Sequence, residues 1–134
     1  MKETDLYEQV EQYLSLKHPN IPHHWDLSGL WTPSHKARNL YGRLNARAWP
    51  DLFIAILAAT PWSEGQPMVM SGLFLELKRA GARLKKRDGS WVNQHVAEQA
   101  AVLDNLCEQG YIAQFAVGYE EAVQLIESYL GGVS

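Results

Sequence analysis

The stretch Gly72–Arg79, with the sequence GLFLELKR, decides the fold. Every second residue from Leu73 onward is leucine, and this period of two predicts a β-strand over Met70–Lys78. Glu76 and Lys78 are two residues apart in that strand, so their side chains leave the same face of the sheet.

The segments around this strand predict a mixed α/β fold. The apolar run Leu52–Ala59 predicts a strand covered on both faces, and Tyr111–Val117 predicts a third strand. Apolar residues at one-face helical spacing predict helices over residues 4–17, 93–109 and 119–130. The order helix, strand, strand, helix, strand, helix indicates a mixed β-sheet with helices packed on it.

Finer expectations concern single positions. Thr4 is the expected N-cap of the first helix, and Cys107 lies on the predicted inner face of the second. Val123 and Leu130 are expected on the inner face of the third helix. Residues 19–49 contain several prolines and glycines and predict irregular backbone.

Length and composition bound the class of protein. The chain has 134 residues, of which 46% are apolar and 20% charged, values typical of one globular domain over residues 1–134. Its longest apolar run is far shorter than the roughly 20 residues that cross a bilayer, and no signal-peptide pattern opens the chain. The single cysteine cannot form an internal disulfide. We therefore expect a soluble, cytoplasmic protein.

Charge is distributed unevenly, although the net charge is only −3. Ten of the twelve Lys and Arg residues lie between Lys36 and Arg87, together with three acidic residues, so this window carries +7. Residues 88–134 hold seven acidic residues and no Lys or Arg. This pattern is typical of a directed electrostatic face, but charge alone leaves chance clustering on a solvated loop equally open.

Asp51, Glu76 and Lys78 are the residues that carry chemistry. If the first two strands pair as an antiparallel hairpin, the start of one lies beside the end of the other, and two carboxylates meet an ammonium. Close carboxylates repel unless a cation lies between them. Mg²⁺ accepts one or two carboxylates together with water and a substrate phosphate. The alternative is an ordinary Glu–Lys pair on a solvated sheet face, with Asp51 in a turn.

Two further polar residues fall on apolar helix faces. At 100° per residue, Glu3 lies among the apolar residues of the first helix, and Gln99 lies between Leu103 and Leu106. A carboxylate on the buried face of a helix carries a large free-energy penalty unless it contacts a cation. Both positions therefore favour a polar site over a purely apolar core.

An ordered set of motifs between Trp49 and Leu130 resembles a known family. The motifs are Pro50-Asp51, the strand Gly72–Arg79, Glu98-Gln99 eleven residues before Gly110-Tyr111, and the closing stretch Gly118–Val123 with Tyr129-Leu130. This set is similar to the VRR-NUC group of PD-(D/E)xK nucleases, in particular to its stand-alone, phage-encoded members.

The resemblance implies a restriction-endonuclease-like core, bound Mg²⁺ or Mn²⁺, and cleavage of phosphodiester bonds in branched DNA. Small viral members resemble Holliday junction resolvases that act as homodimers, which implies a phage or prophage origin and a bacterial host cell. Carried over to this chain, it implies that Asp51, Glu76 and the Leu77 carbonyl bind metal. It further implies that Lys78 is the catalytic lysine and that Gln99 is the helix-borne polar partner. The first-helix carboxylate would be Glu3, with Glu11 as the alternative.

Two departures from the family pattern accompany the match. Trp49 stands where the family usually has glycine, and the segment between Lys78 and Gln99 looks long. Neither removes a residue of the implied site. Phosphate contacts, which supply salt-sensitive affinity without sequence information, are expected from seven basic residues: Arg43, Arg47, Arg79, Arg83, Lys85, Lys86 and Arg87.

Other functions remain open at this point. One is a non-catalytic nucleic-acid-binding module on the same fold, and another is a sequence-specific restriction endonuclease. Zinc binding by His18, His23, His24 and His35 is disfavoured, because the two adjacent histidines would point to opposite sides of an extended chain. Trp62 and the hairpin tip are the expected apolar surface for a partner.

Overall fold

The structure, a computed structural model, describes residues 3–26, 48–59 and 68–131. Within its first helix, the side chains of Glu3 and Thr4 lie outside the described part. The elements follow one another as α1 (Glu3–Lys17), β1 (His23–Trp25), β2 (Leu52–Ile54), β3 (Ala58–Ala59), β4 (Val69–Met70), β5 (Leu73–Lys78), α2 (Gln94–Glu108), β6 (Ile112–Val117) and α3 (Tyr119–Leu130).

Four strands form one mixed sheet in the order β1-β2-β5-β6. β2 pairs antiparallel with both of its neighbours, whereas β5 pairs parallel with β6, so α2 is the crossover between them. In the β2–β5 ladder, Leu52 lies opposite Leu75 and Ile54 lies opposite Leu73. The predicted mixed sheet with helices on it is confirmed.

The alternating sequence of β5 fills two apolar clusters, one on each face of the sheet. Leu73, Leu75 and Leu77 are at most 1% exposed and pack with α1 and α3. Phe74 points the other way and packs against Leu103 of α2. Because helices cover both sides, almost the whole of β5 is buried.

The predicted strand Leu52–Ala59 is wrong as a single element, because the chain leaves the main sheet after Ile54. β3 pairs instead with β4 in a separate two-stranded ribbon, called here the β3–β4 ribbon. The second predicted strand is interrupted in the same region, before β5 begins. There a Cβ on Gly72 would lie 2.4 Å from Phe53 Cε1, so glycine permits the close approach of β2 and β5.

Tyr129 of α3 fixes the β3–β4 ribbon where it leaves the sheet. Its hydroxyl donates to the Ile56 carbonyl at 2.5 Å and lies 3.3 Å from the Met70 carbonyl. Burial raises the pKa of Tyr129 to about 12, so the phenol stays a donor at neutral pH. One side chain thus contacts the backbone beside both strands of the ribbon.

Several expectations about helix positions are wrong. Thr4 lies inside α1 and is not its N-cap. Cys107 is exposed, because the buried face of α2 passes through Leu106 instead. Val123 is only half-buried, because the buried face of α3 passes through Ala122 instead, whereas Leu130 packs against the core as expected. No helix in the described ranges is both long and apolar enough to pass through a membrane.

β1 is a strand within the region predicted to be irregular, so that prediction is wrong for His23–Trp25. Trp25 lies opposite Leu52, and the Asp26 N–H donates to the Asp51 carbonyl at 2.8 Å. Three residues are too few to show a clear period in the sequence. Residues 27–47 of the same region lie outside the described part.

Glu11 fastens α1 to β1. Its Oε2 accepts a hydrogen bond from Trp25 Nε1 at 3.0 Å and lies 2.6 Å from His23 Nε2. Burial acts to raise the pKa of Glu11, but the hydrogen bonds from Trp25 and His23 outweigh it and hold the pKa below its usual value of 4.5. The ionised carboxylate therefore stabilises the contact between the helix and the sheet.

Replacing Glu11 with Gln should remove an acid-sensitive part of the stability. Because the folded pKa lies below the unfolded value of 4.5, this stabilisation is present above pH 4.5 and is lost as the pH falls through the folded pKa. At pH 7 we expect E11Q to lose up to about 1 kcal/mol, the usual net contribution of a hydrogen bond. Urea unfolding at pH 7 and in acid measures the difference, and a loss that is independent of pH would contradict the assignment.

Candidate functional site

Asp51 lies immediately before β2, and the residue is only 7% exposed. Its Oδ2 accepts a hydrogen bond from the Leu77 N–H at 2.8 Å, and its Oδ1 accepts one from the Tyr7 hydroxyl at 2.9 Å. The nitrogen of Leu77 is bonded to the carbonyl carbon of Glu76. The Asp51 carboxylate is therefore held against the peptide that joins Glu76 to Leu77.

Pro50 shapes the same end of the ladder. Continued by two residues, the register that pairs Leu52 with Leu75 sets Pro50 opposite Leu77. Proline has no N–H, so Pro50 cannot donate a ladder bond to the Leu77 carbonyl. The N–H and C=O of one strand residue face the same neighbour, so this carbonyl is directed toward the side where Asp51 lies.

Glu76 and Gln99 form a buried polar pair, with exposed fractions of 5% and 4%. Gln99 Nε2 donates to Glu76 Oε1 at 2.7 Å from the buried face of α2. The other two side-chain oxygens, Glu76 Oε2 and Gln99 Oε1, are enclosed as well. Glu76 does not lie on a solvated sheet face, so the interpretation as an ordinary surface pair is wrong for this residue.

Lys78 ends β5 and is half-buried. Its side chain leaves the same face of the sheet as Glu76, two residues earlier. Its carbonyl accepts a hydrogen bond from the Gly118 N–H at 2.8 Å, which fixes the end of β5 to the turn before α3. One end of the sheet therefore carries two buried carboxylates, a backbone carbonyl and a partly accessible ammonium.

Tyr7 of α1 belongs to this constellation, although no sequence motif includes it. Its ring packs 5.5 Å from that of Trp25, and its hydroxyl reaches Asp51. The signal available in the sequence is its position 100° from Leu6, at the margin of the apolar helix face. Glu3 is the first residue of α1, one turn before Tyr7, and its side chain lies outside the described part.

The histidines do not assemble a metal site in the described ranges. His23 and His24 are neighbours in β1, and His23 contacts Glu11. His18 lies 2.9 Å from Glu127 Oε1, and His35 lies outside the described residues. Across residues 3–26, 48–59 and 68–131, no three His, Cys, Asp or Glu side chains are placed to hold a metal ion together. A site at Asp51 and Glu76 would need carbonyl and water ligands as well.

The segment between β5 and α2 contains a short hairpin over residues 84–92, called here the basic hairpin. Lys85 and Trp91 pair across it as an antiparallel bridge. Gly89 near its tip has φ +89°, the left-handed conformation typical of a three-residue hairpin loop. The Asp88 carboxylate accepts two hydrogen bonds inside this loop, so the acidic residue at the tip is engaged locally.

Trp91 anchors the basic hairpin beside Glu76. Its ring lies 5.8 Å from that of Phe115, with Lys85 Nζ 4.8 Å from the indole centroid. Phe115 is the partner of Glu76 in the parallel β5–β6 ladder, so the two side chains leave the same face on strands about 4.8 Å apart. The basic hairpin therefore packs on the face of the sheet from which the Glu76 side chain extends.

The structure describes five of the seven basic residues expected to contact phosphates, and all five are exposed. Two precede the basic hairpin and three belong to it: Arg79, Arg83, Lys85, Lys86 and Arg87. Arg43 and Arg47 lie outside the described residues, as does Trp62. These five exposed cations all belong to the segment of chain that begins where β5 ends.

Comparisons with known proteins bear on the fold. No protein family and no curated protein sequence matches the chain. Among solved structures, a chain titled "VRR_NUC domain protein" matches with a TM-score of 0.65 and 19% sequence identity, covering 98% of this chain and 90% of that one. This chain has the fold of that VRR_NUC domain protein. The fold expected from the family resemblance is thereby confirmed.

Replacing Gln99 with Ala should destabilise the protein, because it removes the amide that donates to the buried Glu76 carboxylate. We expect a loss of about 2 kcal/mol, within the range for a buried hydrogen bond to a charged group. Gln94 lies on the exposed side of the same helix, so Q94A is the matched control and should change stability by less than about 0.5 kcal/mol. Denaturant unfolding compares them, and equal losses would contradict a special role for Gln99.

Proposed function

We propose that the protein is a divalent-metal-dependent endonuclease that hydrolyses phosphodiester bonds in branched DNA, such as four-way Holliday junctions. The observation that carries this proposal is the 2.8 Å hydrogen bond that holds the Asp51 carboxylate against the Glu76–Leu77 peptide. It holds the buried Asp51 carboxylate against the backbone of Glu76, which carries the second buried carboxylate, and Lys78 follows two residues later in the same strand. The fold shared with a VRR_NUC domain protein supports the same assignment.

The oxygen atoms at this end of the sheet fit a hard divalent cation. Two buried carboxylates need a counter-charge, and carboxylate and carbonyl oxygens are ligands that Mg²⁺ and Mn²⁺ prefer. Asp51, Glu76 and the Leu77 carbonyl would hold the ion. When bound, it would lower the pKa of a coordinated water and stabilise charge on the scissile phosphate.

The remaining chemistry falls to side chains around the carboxylates. Lys78, on the same face as Glu76, would orient the attacking water or neutralise negative charge on the phosphate. Gln99 would hold Glu76 in one orientation through the 2.7 Å hydrogen bond. Glu3, which begins α1 one turn before Tyr7, would be the first-helix carboxylate of the site.

Affinity for DNA would come from the basic surface. The basic hairpin stands beside Glu76 and presents Lys85, Lys86 and Arg87 to solvent. Arg79 and Arg83 extend this surface toward the end of β5, and residues 43 and 47 would add two further cations. Contacts to phosphates bind any sequence, which suits an enzyme that selects DNA by shape.

The branched substrate and the partner are the finer parts of the proposal. A junction has two strands to be cut, and a homodimer with one site in each chain would satisfy both. The β3–β4 ribbon and the residues just before its strands offer an apolar surface for a second copy, since Leu57, Met68 and Val69 are each at least 60% exposed. The proposed setting is the cytoplasm of a bacterial host, with a phage or prophage origin.

Cleavage assays with Mg²⁺ on a four-way junction and on a linear duplex of the same sequence test the proposal. We expect cleavage of the junction, and none in excess EDTA. Lys78→Ala should lower the cleavage rate by at least about 10²-fold, the usual loss when one group that stabilises transition-state charge is removed, while junction binding stays near normal. Cleavage of the linear duplex at one sequence would indicate a restriction endonuclease, and binding without cleavage would indicate a non-catalytic module.

Replacing Lys85 and Lys86 together with Ala should weaken junction binding and flatten its salt dependence. Each phosphate contact contributes about 0.9 to the slope of log K against log salt for duplex DNA, so the slope should fall by up to about 2. Lys17→Ala is the matched control, because Lys17 ends α1 and pairs with Glu127 at 3.2 Å. Fluorescence anisotropy at several salt concentrations measures the slopes, and an unchanged slope would place the basic hairpin away from DNA.

A further inference from the structure

We infer that Tyr7 is a positioning residue for the site, and that it orients the Asp51 carboxylate toward the divalent cation. The inference rests on the proposed function, because it assumes that Asp51 binds the metal. It concerns a residue outside the family motifs and outside the sheet that carries the other groups. Tyr7 touches neither substrate nor metal in this role and acts only through Asp51.

The geometry fixes both oxygens of Asp51 from different elements. Oδ2 accepts from the Leu77 N–H of β5 at 2.8 Å, and Oδ1 accepts from the Tyr7 hydroxyl of α1 at 2.9 Å. A carboxylate held by one donor can still rotate about its Cβ–Cγ bond, whereas a donor on each oxygen fixes the plane of the group. A carboxylate has about four lone-pair sites, so these two bonds are compatible with metal ligation.

Tyr7 is itself held in place, which a positioning residue requires. Its ring packs 5.5 Å from Trp25, and Trp25 Nε1 donates to Glu11 of the same helix at 3.0 Å. Trp25 also lies opposite Leu52, the residue after Asp51, in the β1–β2 ladder. The Tyr7 ring therefore packs on β1, and the Asp51 carboxylate is carried by the adjacent strand β2. A small shift of α1 would move the Tyr7 hydroxyl relative to Asp51.

Two effects of the Tyr7 hydrogen bond on metal affinity oppose each other. A donor withdraws negative charge from the carboxylate and weakens it as a ligand, whereas a fixed orientation strengthens binding. Partners that hydrogen-bond to metal ligands typically contribute about 10–100-fold in metal affinity or activity. Orientation therefore outweighs charge withdrawal, and loss of the hydroxyl should weaken binding.

The test compares Tyr7→Phe with Tyr13→Phe in the full chain. Phe keeps the ring that packs on Trp25 and removes only the hydroxyl. Tyr13 is the matched control, because it lies on the same helix and donates its hydroxyl to Glu127. With Mn²⁺ as the probe and electron paramagnetic resonance of the free ion as the measurement, we expect the dissociation constant of Y7F to rise about tenfold or more. Y13F should stay within about twofold, and circular dichroism confirms that both variants fold.

Two further measurements separate positioning from a general loss of structure. Junction cleavage by Y7F at low Mn²⁺ should fall and then recover when Mn²⁺ is raised above the new dissociation constant, with KM for DNA unchanged. In the Asp51→Asn background, Y7F should alter the residual Mn²⁺ affinity by less than about twofold, since the ligand that it orients is gone.

The outcomes distinguish the inference from the function on which it rests. If the unaltered protein binds Mn²⁺ and Y7F binds it equally well, Tyr7 does not position Asp51, and the proposed function stands. Equal weakening in Y7F and Y13F would likewise overturn the inference, because it would reflect the stability of α1. If the unaltered protein binds no Mn²⁺, the proposed function fails and the inference fails with it.

Discussion

The hydrogen bond from the Leu77 N–H to the Asp51 carboxylate is the constraint on which the candidate site depends. It occurs where the β2–β5 ladder would otherwise continue, at the position that the register assigns to Pro50. A hydrogen bond to a charged group contributes about 1.5–3 kcal/mol, which offsets part of the penalty for burying a carboxylate. The end of the antiparallel β2–β5 pair can therefore accommodate the buried Asp51 carboxylate.

Apolar packing sets the positions of the polar groups that reach this point. Leu6 is buried in the cluster that α1 shares with β5, and the next residue, Tyr7, extends from the margin of that face to Asp51. Leu103 of α2 packs on Phe74, and Gln99, one turn earlier, reaches Glu76. Because Tyr7 and Gln99 each lie close in their helix to a buried apolar residue, the core that stabilises the fold also orients the polar side chains of the site.

How much of this arrangement the sequence predicts depends on how far apart in the chain the interacting residues lie. β5, α2 and α3 have clear periodicity, and the buried position of Gln99 follows from the helical spacing of its neighbours. The division of Leu52–Ala59 into β2 and β3 cannot be predicted from the sequence, because an apolar run does not specify which sheet its parts join. β1 is too short for a period, and the role of Tyr7 depends on a partner 44 residues away. Local patterns therefore predict the elements and the direction of side chains, whereas long-range contacts require coordinates.

The acidic and basic residues of the chain have different positions in the structure. Glu127, one of the seven acidic residues of the segment 88–134, accepts a hydrogen bond from Tyr13 and contacts His18 and Lys17, so its carboxylate joins α3 to α1. Five other described cations belong to the segment that follows β5 and to the basic hairpin, and all five are exposed. That hairpin is tied to the site by the contact of Trp91 with Phe115. A net charge of −3 is thus compatible with binding a polyanion, because electrostatic attraction depends on where the charges lie relative to the buried carboxylates.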